Sequence, residues 1–348
     1  MATRTQPKPD ASHFHGSGQY VRQIIKCLEK VNALSGYHAY QIFDDWTQLV
    51  EVCLEALPAH LTSLVQTGRL AEDTPETRQV FERIHSRYQP PPYRTKSADA
   101  WSYFSQAFAI LLESAEPGLW GPGSYGDFDV GYMGPDIIGH TYMLYATPNL
   151  ARAQIFTPWN AALLLGRMNI PSGEQQVHDR LKQACQHPDN ILAQATLLAG
   201  LVIDNPGQAR EWFFNRVLPA AWPTFEPIMV GDPAGCGSGV LLLAAAACFP
   251  EWAVRLRCVV FQGIDIDPQC VRLAKINCML YSLNGYDLKF AEALQALSHQ
   301  EPSPRSTGQV DQQAITLHKA NRPTVSSLAE PTFADLFRRQ PTEIEVTV

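Results

Sequence analysis

Apolar residues recur at helical spacing through the first third of the chain. Between Gln19 and Leu70 they return every three or four positions, as expected of a helix with one buried face. They are Ile24, Ile25, Leu28, Val31 and Leu34, followed by Trp46, Leu49, Val50, Cys53, Leu54 and Leu57. Further helices are predicted over 76–88 and 98–113. The sequence thus predicts a helical N-terminal region over 1–135 that ends in a glycine-rich loop.

The middle of the chain continues the helical pattern. Helices are predicted over 136–145, 160–168, 177–186, 191–201 and 208–218, with a short extended turn over 153–158. We assign 136–225 to one region, in which 175–222 is a helical insertion. Strand-like patterning begins only beyond it.

The periodicity changes after Pro227. A short apolar run, Ile228–Val230, leads into a Gly-rich turn and a helix of small residues over 239–249. A second apolar run over 258–261 is followed by a helix over 268–283 and a third short strand over 288–290. This alternation predicts an α/β fold with a Rossmann-like βαβαβ unit over 226–297. The polar tail, 298–348, is predicted to be disordered.

Composition narrows the class of protein. The 348 residues are 45% hydrophobic and carry a net charge of −7, so a nucleic-acid surface can only be a local patch. The eight cysteines show no Cys-x-x-Cys pair, which argues against a zinc site and a disulfide framework. The longest apolar run, Val240–Phe249, is too short to span a bilayer. We therefore expect a soluble, cytoplasmic protein without a metal site or membrane contact.

The strongest local signal is the segment Asp232-Pro233-Ala234-Gly235-Cys236-Gly237-Ser238-Gly239, between a predicted strand and a helix. Closely spaced glycines let the backbone turn sharply, and the start of a helix offers unpaired N–H groups. A nicotinamide fingerprint fails at Val240, where it needs a third glycine, and the Gly-Lys-Ser/Thr of a P-loop is missing. The segment predicts a site for a polar or anionic ligand of another class.

An acidic residue follows the next predicted strand. Asp265 stands 26 positions after Gly239, where a carboxylate can accept the hydroxyl hydrogens of a ribose. The alternative is that it caps the following helix, although Asp267 is better placed for that. Ile266 would then lie against an adenine ring. Glu292 would accept from the adenine amino group or, alternatively, would be a solvated loop acid.

Four stretches of the chain form an ordered set of motifs. The first two are Asp-Ile-Ile-Gly-His-Thr-Tyr at 136–142 and Gln-Ile-Phe-Thr-Pro at 154–158. The third is the glycine segment at 232–239, and the fourth runs from Gly-Ile-Asp-Ile-Asp-Pro at 263–268 to Asn-Gly at 284–285. In this order they resemble the N6-adenine DNA methyltransferases related to the modification subunit of type I restriction systems, the first two resembling the methionine-side motif. Together they cover roughly 136–294.

The resemblance implies a Rossmann-like methyltransferase sheet that binds S-adenosylmethionine. Thr157 would lie near the methionine carboxylate, Asp232 and the glycines near the methionine and sulfonium, and Asp265 on the ribose. The implied partners are DNA, bound weakly, and a specificity or catalytic subunit. The implied cofactor-binding residues are Thr157, Asp232, Pro233, Gly235, Gly237, Gly239, Asp265, Ile266 and Glu292.

The chain departs from the family pattern on the catalytic side. Members carry Asn-Pro-Pro-Tyr/Phe, which accepts from the adenine amino group and stacks on the flipped base. No such motif follows Glu292. Glu330-Pro331-Thr332-Phe333 lacks the second proline and a preceding apolar strand, and Pro90-Pro91-Pro92-Tyr93 is better explained as a stiff linker. The catalytic residues are therefore unknown.

Two smaller departures concern spacing. Gly235 is one residue extra in the glycine segment, and Asp232 follows Thr157 by 75 positions, longer than the usual connection.

Three hypotheses on the function stay open. The chain is a divergent or truncated adenine methyltransferase, a non-catalytic cofactor-binding or partner subunit, or a methyltransferase for a protein or small molecule.

Overall fold

A computed structural model of the chain describes residues 17–89, 100–121, 123–126, 134–146, 155–232 and 235–286. Several predictions fall outside these residues. They are the linker at Pro90–Tyr93, Pro233, the third strand at 288–290, Glu292, Glu330–Phe333 and the polar tail over 298–348.

Four helices make up the described part of the N-terminal region, as the apolar periodicity predicted. They are α1 (Ser17–Ser35), α2 (Ala39–Thr67), α3 (Pro75–Arg87) and α4 (Ala100–Ser114). The Thr74 side chain caps α3 by accepting the Thr77 N–H, and α2 ends at Gly68 in the left-handed conformation. Helices α1 and α4 pack together through apolar faces that include Ile24, Leu28, Phe104 and Leu111, all buried.

The middle region is also helical, but two of its predicted helices are not regular. It contains α5 (Ile137–Thr141), α6 (Trp159–Asn169), α7 (Gly173–Cys185), α8 (Ile191–Gly200), α9 (Pro206–Trp212) and α10 (Leu218–Ala221). The helices predicted over 136–145 and 208–218 change to π-helical turns at Tyr142–Ala146 and Phe213–Val217. Such turns widen the helix locally and re-aim its side chains, which the apolar period does not encode.

The described sheet has two parallel strands, β1 (Ile228–Asp232) and β2 (Val259–Gly263), with Asp232 opposite Gly263. Helices α11 (Val240–Ala246) and α12 (Glu251–Arg255) connect them, and α13 (Pro268–Leu280) follows. Helix α11 is shorter than the helix predicted over 239–249. Before Pro250, the N–H groups of Cys248 and Phe249 donate to the carbonyls of Ala245 and Ala246, three residues back, so the regular α-helical hydrogen bonding ends. Strand, helix and parallel strand are observed, whereas a wider Rossmann-like sheet stays a prediction.

One face of the sheet is buried and the other is open among the described residues. Val259, Phe261 and Gly263 are buried, and a Cβ on Gly263 would meet the Leu242 side chain of α11. Met229 and Gln262, which alternate with them, are exposed. Helix α11 therefore covers one face and brings the turn before it to the end of both strands.

The last described segment covers the outer edge of β2. Helix α13 ends at Leu280, three residues before the predicted end, because Ser282 adopts a left-handed φ of 56°. Asn284 and Gly285, in the 3₁₀ turn that follows, are also left-handed, with φ values of 56° and 80°. The Asn284 carboxamide accepts the Phe261 N–H at 2.8 Å and donates to the Phe261 carbonyl at 2.9 Å. Its side chain thus imitates a neighbouring strand at this position.

Charged contacts join the N-terminal helices to the strand-containing region. On α13, Arg272 donates to Asp44 at 2.6 Å, and Lys275 donates to Glu51 at 2.8 Å and pairs with Glu55. The acids all lie on α2, which packs against α13. These half-buried pairs fix the register between the two helices.

Candidate functional site

The glycine segment forms a tight loop at the carboxyl ends of both strands. Gly235, Gly237 and Gly239 have φ values of +102°, +54° and +82°, which other residues rarely adopt. The Cys236 N–H donates to the Ile264 carbonyl at 2.9 Å, so the loop folds across the end of β2. A Cβ on Gly239 would lie 3.1 Å from the Cα of Ala274. The loop therefore needs glycine for both conformation and space.

Asp265 ties the loop to the end of β2. One carboxylate oxygen accepts the Gly237 N–H at 2.9 Å, and the other accepts the Asp267 N–H at 2.9 Å. Asp267, not Asp265, caps α13 by accepting the Gln269 N–H at 3.0 Å. Each Asp265 oxygen keeps a further lone pair. The half-buried carboxylate can therefore accept two more hydrogen bonds from a ligand.

Two apolar side chains flank Asp265 and point into solvent. Ile264 is 49% exposed and Ile266 is 88% exposed. Together they offer an apolar surface to a flat ring. The predicted neighbours Asp265 and Ile266 thus provide a hydrogen-bonding group and an apolar contact side by side.

The segment that contains Thr157 reaches the same loop. A Cβ on Gly237 would lie 3.0 Å from the Phe156 ring, so Phe156 lies directly against the loop. Tyr142 stacks on Phe156 with ring centroids 5.7 Å apart, and Phe43 of α2 contacts Tyr142 at 5.5 Å. The π-helical turn that starts at Tyr142 thereby holds Phe156, and with it the neighbouring Thr157, at the loop.

A buried polar network anchors the other side of the loop. The Ser238 hydroxyl donates to Asp136 Oδ2, and Asn277 Nδ2 donates to Asp136 Oδ1 and to the Ser238 carbonyl, both at 2.8 Å. Asp136 also caps α5 by accepting the Gly139 N–H at 2.9 Å. All three side chains of the network are at most 1% exposed. The sequence placed Asp136 in a motif but gave no role for Asp136, Ser238 or Asn277.

The loop cysteine is buried. Burial, aided by the Asp265 and Asp232 carboxylates, raises the pKa of the Cys236 thiol to about 12. Thiols react as thiolates, so this shift disfavours reaction of Cys236 near neutral pH. None of the eight cysteines, all of which lie in the described residues, forms a disulfide, and six of them are buried.

The remaining predicted residues divide into two groups. Asp232 ends β1 and accepts the Ile264 N–H through its carbonyl at 3.1 Å, which places it beside the loop. Pro233 and Glu292 lie outside the described residues. The structure thus brings together Asp232, the three glycines, Asp265, Ile266 and the turn at Thr157.

Two other kinds of site have no support in the described ranges. No group of three or more His, Cys, Asp or Glu side chains is arranged to hold a metal ion there. Within the same ranges, no helix combines the length and apolarity needed to cross a bilayer.

Comparisons with protein-family models, curated proteins and solved structures return no match to this chain. The site is therefore interpreted from its own geometry.

Proposed function

We propose that the chain binds S-adenosylmethionine at the loop between β1 and α11. The observation that carries the proposal is the bond from the Gly237 N–H to Asp265, because it brings a hydroxyl acceptor and a glycine loop within 2.9 Å of each other. Ligands of open α/β sheets bind at this edge, outside the carboxyl ends of the strands. A nucleoside with a charged, flexible tail fits such a pairing.

Different residues would contact different parts of the cofactor. Asp265 would accept the ribose hydroxyls through its remaining lone pairs, and Ile266 would cover one face of the adenine. The methionine part would lie along the glycine loop, next to the turn at Phe156–Thr157. The Thr157 hydroxyl is the group on that turn suited to a carboxylate. The bound cofactor would supply an electrophilic methyl group, and these residues would orient it.

We propose that the acceptor is the N6 amino group of adenine in DNA, as the resemblance to type I modification subunits implies. That amine is a poor nucleophile because its lone pair is delocalised into the ring. An enzyme must therefore accept its hydrogens and hold the flipped base in line with the methyl group. The described residues near the loop would position the methyl donor. We assign none of them to the adenine amino group or to the flipped base.

The second candidate is a cofactor-binding subunit that leaves catalysis to a partner. The sequence favours it through the missing Asn-Pro-Pro-Tyr/Phe motif and a net charge of −7, which weakens contact with a duplex. A methyltransferase for a protein or small molecule is the third. In each case the same loop binds the same cofactor.

Calorimetric titration with S-adenosylhomocysteine tests the binding site. Asp265→Ala removes a charged hydrogen-bond acceptor, and we expect affinity to fall about tenfold or more. Asp204→Ala, at an exposed position away from the loop, is the control and should bind as the wild type does. Equal affinity in the Asp265 variant would remove this carboxylate from the site.

Transfer of labelled methyl groups to DNA tests the reaction. We expect the purified chain alone to transfer little or nothing, since loss of even one preorganised group typically costs about 10²-fold to 10³-fold in rate. Activity gained only with an added partner subunit would support the second candidate. Robust transfer by the chain alone would support a complete enzyme with an acceptor site outside the described residues.

A further inference from the structure

Helix α8, in the inserted region, presents an apolar stripe to solvent. Ala193 is its only fully buried hydrophobic residue. The large apolar residues on its outer side and in the turn that follows each expose about two thirds of their surface or more. They are Ile191 at 75%, Leu192 at 66%, Leu198 at 65%, Leu201 at 74% and Val202 at 80%.

The inner side of α8 is held firmly, so the stripe does not result from a frayed helix. The Asn190 side chain caps the helix by accepting the Ala193 N–H at 3.1 Å and donates to the Ala220 carbonyl at 2.8 Å. The Trp212 indole donates to the Thr196 carbonyl at 2.9 Å. Ile191, Ala195, Leu198 and Val202 follow the spacing of the opposite, outward face.

The stripe is uncharged. No charged residue lies between Asn190 and Ile203. Ala195 and Ala199 are exposed between the larger side chains, which leaves shallow grooves beside ridges of leucine and isoleucine. Ridges and grooves of this kind fit into those of another helix. A phosphate backbone would need cations, which the stripe lacks.

The exposed area reaches the size of a small specific contact. The five large side chains expose roughly 500 Å², near the upper end of the range of about 300–600 Å² for the largest apolar patch on an ordinary monomer. Two such faces together bury at most roughly 1,000 Å², the lower limit for a specific interface.

We infer that α8 is the surface through which two copies of this chain associate. A two-fold interface pairs a patch with itself, so each part of it must tolerate its own copy. An uncharged stripe with its own ridges and grooves meets that condition. Two chains of net charge −7 repel each other over the rest of their surfaces. A contact between copies therefore needs an uncharged surface such as this stripe. The inserted helices would thus serve to join two cofactor-binding units.

Sedimentation velocity on the full chain over a range of concentrations tests this inference. We expect the wild type to form a species of twice the chain mass, and Leu192→Glu and Leu198→Glu to shift it to the monomer at every concentration. Leu70→Glu is the matched control, because Leu70 is also 66% exposed but lies beyond the end of α2. It should associate as the wild type does.

Cross-linking and hydrogen exchange separate the other possible occupants. In a two-fold contact centred on α8, Ala195→Cys should form an intermolecular disulfide between copies under mild oxidation. A wild type that stays monomeric, or a dimer that survives both glutamate substitutions, would overturn the inference. A monomer in which 191–202 exchanges slowly would show that another part of the same chain covers the stripe, which also overturns it. A wild-type circular dichroism spectrum and a cooperative thermal transition in Leu192→Glu would establish that loss of the dimer is not loss of the fold.

Discussion

The two sides of the glycine loop differ in almost every physical respect. On one side, Ser238 is fully buried and bound to Asp136 and Asn277 in a buried network. On the other, Gly237 is bound to the half-buried Asp265, beside an isoleucine that is 88% exposed. Gly237 is partly exposed, whereas Ser238 and Gly239 are buried, so the loop passes from the surface into the core within three residues.

The buried side of the loop fixes the loop conformation, whereas the open side is available to a ligand. Buried polar groups are costly without partners, so the hydrogen bonds among Asp136, Ser238 and Asn277 favour one loop conformation. The open side keeps lone pairs and apolar surface for a ligand. Changes on the buried side should therefore act on stability, and changes on the open side should act on affinity.

The largest effect is expected at Asp136. Asp136→Ala leaves the Ser238 hydroxyl buried without its acceptor and removes the hydrogen bonds from Asn277 and the Gly139 N–H, and should lower the free energy of unfolding by about 3 kcal/mol or more. Urea denaturation measures the change. Asp204→Ala should alter it by less than about 0.5 kcal/mol. A loss below about 1 kcal/mol in the Asp136 variant would show that the buried network does not hold the loop.

Gly239→Ala should have the next largest effect. An alanine there would adopt φ near +82° and crowd the Ala274 backbone at 3.1 Å, at an expected cost of about 1–3 kcal/mol. Gly231→Ala, in β1, is the matched control because a Cβ at that position meets nothing within 4 Å. Equal stability of the two variants would contradict the tight packing of the loop.

Alkaline pH should weaken the buried side. Burial raises the pKa of Cys236, and of Cys278 on α13, from 9.0 to about 12. Because these thiols ionise earlier in the unfolded chain than in the folded one, stability is full below pH 9 and falls as pH rises from about 9 to about 12. Urea denaturation at pH 8 and pH 10.5 should show the fall, and Cys236→Ala should reduce it. A pH-independent midpoint would mean that these thiols are solvated.

Ile266→Ser should have the smallest effect on stability. An exposed side chain contributes little to folding, so the free energy of unfolding should change by less than about 0.5 kcal/mol. Affinity for S-adenosylhomocysteine should fall about threefold to tenfold, because an apolar contact with the base is lost. Leu70→Ser, equally apolar and also exposed, should leave both quantities unchanged. A stable variant with full affinity would remove Ile266 from the site.

The open side could be predicted from sequence because its signals are local. Closely spaced glycines after an apolar run, followed by an acid after the next run, place Gly237 and Asp265 at one edge of a sheet by strand direction alone. The N-terminal helices were equally accessible through their 3.6-residue period.

The buried side could not be predicted in this way. Asn277 meets Asp136 across 141 positions, and no local pattern encodes such a contact. The π-helical turn at Tyr142, which brings Phe156 to the loop, leaves no trace in the apolar period. Helix α8 was predicted as a helix, but Ile191, Leu192, Leu197 and Leu198 surround it so evenly that the sequence does not show which face is buried.

Hydrogen exchange of the full chain with and without S-adenosylhomocysteine tests the central claim most directly. We expect the cofactor to slow exchange in the glycine loop over 235–239, at 264–267 and in the turn at 155–157. The buried segments around Asp136 and Asn277, already protected, should not change. Protection confined to the N-terminal helices, or no protection at a concentration that saturates binding, would contradict a cofactor site at this loop.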